Sequence, residues 1–243
     1  MLQPGWYIAM SRALRKWVLT LVFQAGISVL AGALAMAGPP RYPSSASVWN
    51  GRQYTDFYFV HFNTHLALPH LRNPESRALF ERMTSRGNIE RILSAAASRQ
   101  DKQRELAVIL SAMGGIRASY NLAVTIGEPL QEELTRVQVF HLYLIGVVAE
   151  LAGEDIAAVN GSPAMKTAWL GVLQSMSEKN VYSPAQIAAL SDAAARRYPV
   201  LSELFIESER TLLRGRIAAL QAQQAEPQSR LALGRLLATI TGE

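Results

Sequence analysis

The chain has 243 residues, with 24 Lys and Arg against 19 Asp and Glu, 49% hydrophobic residues and no cysteine. That length buries a core without crosslinks, and the missing thiols exclude thiolate nucleophiles, thiolate zinc sites, covalent haem attachment and lipidation at a cysteine. Setting aside the three basic residues of the first 37 leaves 21 basic against 19 acidic, a net of +2 with no electrostatic footprint for nucleic acid.

Those first 37 residues read as an export signal. Arg12, Arg15 and Lys16 form a basic start, Val18 to Leu34 carries no charge, and Ala35-Met36-Ala37 presents small residues at the cleavage positions. Gly38-Pro39-Pro40 then breaks any helix. Met10 to Trp17 is an ordinary charged start, so translation is expected from Met10, with Met1 to Ala9 an apolar preface. Roughly 20 apolar residues span a bilayer, so residues 17–37 are also long enough for an uncleaved inner-membrane anchor, with Arg15 and Lys16 inside. Both readings carry the rest of the chain out of the cytoplasm, to the periplasm or the cell exterior. The leader and the Ala- and Arg-rich composition read as bacterial.

Residues 38–47 are Pro- and Ser-rich and read as a flexible tether; residues 48–243 read as one all-α domain. The aromatic run from Tyr54 to Thr64 is the only strand-like stretch, and the Ala and Leu that follow favour helix. Asn73-Pro74-Glu75 supplies an N-cap, a proline at the first helical position and an acid in the first turn. Leu106, Ile109, Met113, Ile116 and Tyr120 then recur at helical spacing. Gly114-Gly115 interrupts that stripe at about 1 kcal/mol per glycine relative to alanine, which predicts a close helix approach or a kink. Gly127-Glu128-Pro129 ends this helix and opens the next.

Leu130, Leu134, Val137, His141, Leu144, Val148 and Leu151 continue the pattern. From Val139 to Leu151 the chain is apolar almost all round, which places this helix at the centre of the bundle. Ser162-Pro163 and Ser183-Pro184 open two more helices, the second with Gln186 completing a capping box. Tyr198-Pro199 is expected to divide segments, as is Glu226-Pro227. Ile206, Leu213, Ile217 and Leu220 mark a stripe within a helix from Pro199 to Gln224, and a last helix runs from Glu226 to Thr241. The Gln221 to Gln228 stretch reads as a solvated extension. The expected fold is a bundle-like all-α domain of about seven or eight helices.

Three of the four histidines fall within ten residues: His61, His65 and His70. His61 and His65 stand four apart, so on a helix they share one face and can offer two neutral nitrogens to a divalent transition metal. If the first helix packs on the central one, His141 joins them, with Asp56, Glu150 and Glu154 as carboxylate companions. The competing reading is an ordinary aromatic core around Tyr54, Phe57, Tyr58, Phe59 and Phe62, or an apolar pocket lined by those rings.

Enzyme signatures are missing. There is no Gly-x-Ser-x-Gly elbow and no Glu after His61 to make a zinc-protease helix. Adjacent Glu132 and Glu133 diverge by about 100° on a helix. Only Arg117 and Arg136 offer cations on apolar faces. Arg196-Arg197 and the Arg210, Arg214, Arg216 group read as solvated faces balanced by Glu203, Glu207 and Glu209. The leading expectation is an exported binding or accessory protein acting on another envelope protein through its C-terminal helices. The alternative is a small-ligand or metal-binding bundle using His61, His65 and His141, and an enzyme comes third.

Overall fold

Side chains placed just ahead of the apolar stripes set where the helices begin. In the computed structural model the described residues are 49–62, 68–153, 156, 162–178 and 181–242, with only the backbone described at 60–62 and 75. They all fall within one unit, Tyr42–Glu243. The expected signal at 1–37, start at Met10 and tether at 38–47 lie outside them.

The described residues are all-α, with no strand. Nine helices follow in order: α1 Gly51–Phe62, α2 Pro74–Met83, α3 Arg86–Ser94, α4 Arg99–Thr125, α5 Gln131–Ala152, α6 Ser162–Met176, α7 Pro184–Leu201, α8 Glu207–Ala222 and α9 Pro227–Thr241. A single 3-10 turn, Ser202–Leu204, joins α7 to α8. The aromatic run from Tyr54 is helical, as expected. Two breaks had no signal in the expected series. Ser85 turns extended between α2 and α3, after the Thr84 hydroxyl donates back to the Phe80 carbonyl. Residues 95–98 separate α3 from α4, where the Ser98 side chain accepts the Asp101 N–H.

The caps follow the sequence. Ser183 accepts the Gln186 N–H at 3.3 Å, and the Gln186 side chain accepts the Ser183 N–H at 2.8 Å, a reciprocal box. Asn73 accepts the Ser76 N–H ahead of α2. Pro199 does not divide segments where expected. It lies inside the last turn of α7, which runs on to Leu201. There a proline removes one internal hydrogen bond near a helix end that is terminating anyway, and the chain tightens into the 3-10 turn first. α8 therefore opens at Glu207, where the Glu209 carboxylate accepts the Ile206 N–H. Residues 221–228 are mostly exposed and form the return from α8 to α9, where the Gln221 side chain donates to the Arg230 carbonyl.

α5 is the hub, with α4, α6 and α7 packed around it; α1 lies on α4, α9 on α7, and α8 on α9. Leu134, Val137, Leu142, Leu144 and Ile145 of α5 are fully buried, each contributing about 1.5–3 kcal/mol relative to exposure. By length and composition α4 and α5 are apolar enough to cross a membrane, but α5 is mostly covered by its neighbours. The close approach expected at Gly114-Gly115 is real. A Cβ on Gly115 would stand 2.1 Å from the Tyr58 ring, so a larger residue there would push that ring of α1 off α4.

A polar lock closes the N-terminal side. The Asn88 amide oxygen accepts the Trp49 N–H at 3.1 Å. Its nitrogen donates to the Tyr54 hydroxyl at 3.2 Å and the Arg82 carbonyl at 2.7 Å. Tyr54 in turn donates to the Met83 carbonyl at 2.7 Å. Burial, offset only partly by the Asn88 hydrogen bond, pushes the Tyr54 phenol well up, so it stays a neutral donor.

Candidate functional site

Of the buried polar residues of the hub helix, Gln138 and His141 lie one turn apart on the same face. α6 faces them with Gly171 and Ser175, α4 contributes Gly114 and Arg117, and Tyr182 enters from the segment ahead of α7. The uncharged members are well connected. Tyr182 Oη donates to Gln138 Oε1 at 3.1 Å. Gln138 Nε2 donates to Ser175 Oγ at 3.0 Å, and Ser175 Oγ to the Val172 carbonyl at 2.8 Å.

The other two members are not satisfied. His141 is 1% exposed and its Nδ1 has no hydrogen-bond partner; Arg117 Nε is buried with none either. The Arg117 guanidinium lies over the bare backbone of Gly171, where a Cβ would come within 2.9 Å of its Nη1. The His141 ring points its Cε1 towards α4 at Gly114, one turn before Arg117, 4.0 Å from where a Cβ would be. Burial first, and the charge of Arg117 second, hold His141 down to about 3, so the imidazole is neutral at ordinary pH. Burial also lowers the Arg117 pKa, while nearby Tyr182 opposes that effect. Tyr182 itself is pushed up, chiefly by burial.

The histidine cluster is resolved only in part. The side chains of His61 and His65 lie outside the described residues, as does Glu154. α1, which carries His61, lies chiefly on α4 and reaches α5 through Tyr54 stacked on Phe140 at 6.4 Å. Asp56 pairs with Arg52 at 3.8 Å and Glu150 with Arg197 at 2.9 Å. Among the described residues no group of three His, Asp or Glu side chains is placed to hold a metal. A neutral His141 has a free lone pair for a metal, yet the charge acting on it is the cation of Arg117, which opposes a second cation.

Of the other residues singled out, Glu132 is exposed and Glu133 buried, the divergence expected of neighbours on a helix. Glu133 accepts the Leu71 N–H at 2.7 Å. Arg136 is exposed and lies over the Phe80 ring at 5.8 Å, so Arg117 alone of the two is turned inward. Gln138, Ser175 and Tyr182 were missed. The available signal was a glutamine inside an otherwise apolar helix.

A second feature lies nearer the surface. A groove of about 440 Å³ between α6 and α8 is floored by Leu170, Leu173, Leu213, Ile217 and Leu220, with Gln174, Arg216 and Gln223 exposed at its rim. Lys166 of α6 joins Glu209 of α8 at 2.5 Å and lies over the Phe205 ring at 5.2 Å. On α8, Arg210 and Arg214 both pair with Glu207. No protein-family model matches the chain, and neither a curated protein nor a solved structure matches it.

Proposed function

We propose that this chain is an exported helical binding protein, periplasmic or at the cell surface, that acts on another envelope protein. The leader at 1–37 supports the location. The α6–α8 groove supports the activity, and its chemistry specifies the occupant: an apolar segment of the partner that carries a carboxylate.

The observation behind this reading is the contrast between floor and rim. Leucine and isoleucine side chains line an open groove large enough for several apolar side chains of a partner. Arg216 at the rim makes no hydrogen bond or ion pair among the described residues, whereas its neighbours Arg210 and Arg214 share the carboxylate of Glu207. An acidic apolar segment satisfies both floor and rim. Charge complementarity of this kind raises the association rate and selects the partner.

A photo-crosslinker at Gln223, in the full chain in its host envelope, tests the reading. The expected product is a single partner joined through a peptide that is both apolar and acidic, with Arg216→Glu weakening its binding at least tenfold. Crosslinks that appear only from positions outside the groove, or unchanged binding by Arg216→Glu, would overturn it.

A further inference from the structure

We infer that Arg117, together with His141, forms a binding site for a small organic carboxylate between α4, α5 and α6. This site is separate from the α6–α8 groove and does not depend on the partner proposed for it.

The argument starts from the cost of the unliganded arrangement. Arginine stays charged in proteins, and a cation removed from water needs a countercharge or a full set of acceptors. Arg117 has neither among the described residues: no carboxylate pairs with it, no carbonyl or hydroxyl accepts from it, and its Nε is sealed off. The other arginine pairs of the domain show the contrast. Arg197 with Glu150 and Arg235 with Asp192 are both joined at 2.8–2.9 Å. Arg117, partially buried, is left without an anion.

His141 supplies the second, independent observation. It is almost fully buried, its Nδ1 is unpartnered, and its ring edge faces the helix turn that carries Arg117. A neutral imidazole has one N–H to donate, and with the proton on Nδ1 it donates to an oxygen held by Arg117. Two unbonded groups from two helices thus lie near enough for the charge of one to act on the other, while the adjoining Gln138, Ser175 and Tyr182 are occupied with each other. That surrounding chain holds the walls and leaves the two donors free.

The chemistry selects a carboxylate. A guanidinium presents two parallel N–H groups that match the two oxygens of a carboxylate. One cation balances one negative charge, and no second Arg or Lys acts on His141 or Arg117 to balance a dianion. The absent Cβ at Gly171 gives the guanidinium its place. Arg117 as a residue is only half-buried, so a small molecule has a route to it.

The test is thermal unfolding of the full chain titrated with acetate, propionate, butyrate and benzoate at constant ionic strength, with chloride and phosphate as controls. Ligands that bind only the folded state raise the melting temperature in a saturable way. The expected result is saturable stabilisation by at least one carboxylate and none by the controls. Arg117→Met should weaken that response at least tenfold while melting higher than the parent in the absence of carboxylate. Arg117→Lys, which keeps the charge but loses the fork, should weaken it as well. Four flat titrations, an equal response in Arg117→Met, or an equal response to chloride would each overturn the assignment. So would an Arg117→Met variant that melts lower or fails to fold, since Arg117 would then be a structural residue. Arg216→Glu should leave the carboxylate response unchanged, which separates failure here from failure of the groove proposal.

Discussion

Two of the buried polar clusters among the described residues differ in how their central side chains are satisfied. Around Asn88 the central amide is fully engaged: it accepts from Trp49, donates to Tyr54 and to the Arg82 carbonyl, and Tyr54 donates on to Met83, although Nε of Arg82 itself is buried without a partner. Around Arg117 the neutral half of the cluster is equally complete, yet Nε of Arg117 and Nδ1 of His141 have nothing to bond. A satisfied network rigidifies the fold, whereas a half-satisfied one is a liability. The first cluster therefore reads as architecture. The second reads as a site held ready at some expense in stability.

The largest effect that separates the two clusters is acid sensitivity. His141 has a folded pKa of about 3 against an ordinary 6.5, so between those values the unfolded chain binds a proton that the folded chain refuses. Stability is unaffected by this group above about pH 6.5 and falls as the pH drops through the window, by about 1.4 kcal/mol per unit. The charge that acts on His141 is the cation of Arg117, and no carboxylate is there to offset this. Urea unfolding from pH 7 to pH 4 should show the slope, and His141→Gln should flatten it; equal slopes would remove the buried neutral imidazole from the account.

Next in size is the architectural cluster. Asn88→Ala strands the Trp49 N–H and two further partners, so it should destabilise by about 3 kcal/mol, read as a shift in the urea midpoint at unchanged slope. A loss below about 1 kcal/mol would mean that water replaces the amide and the lock is not structural. In the opposite direction, Arg117→Met should stabilise the domain by about 1–2 kcal/mol, because an apolar stem of similar volume replaces an unpaired cation. The two substitutions, equal in kind, should therefore have opposite signs.

Smaller effects refine the contrast. Tyr182→Phe leaves Gln138 Oε1 without its donor and should destabilise by about 1 kcal/mol in the same unfolding assay. Arg216→Glu at the exposed rim should change stability by no more than about 0.5 kcal/mol, although it is expected to disrupt partner binding. A larger change would place Arg216 in the fold and weaken the groove as a recognition surface.

Much of this fold was legible before any coordinates. Helix caps are local, so Ser183 with Gln186 and Asn73 with Ser76 announced α7 and α2 from a few residues each. The uninterrupted apolar character of Val139 to Leu151 announced a helix surrounded on all sides, because nothing else shelters every face of a cylinder. Where the reading slipped, tertiary context had overridden a local rule. Pro199 is tolerated in the final turn of α7, and Ser85 breaks a segment that carries no obvious stop.

The site divided in the same way. Arg117 and His141 could each be singled out alone, as a cation and an imidazole on apolar stripes, but the histidine spacing directed attention to metal rather than to an anion. Spacing along one helix is a short-range quantity, and it says nothing about which neighbour a side chain meets. That Arg117 of α4 lies over Gly171 of α6, and that it acts on His141 of α5, depends on how three helices from separate parts of the chain cross. The sequence by itself determined the helices, their caps and the central position of α5, through interactions a few residues long. Only the packing of those helices decided which polar groups were left buried together and unpaired, because burial and satisfaction are properties of the assembled core.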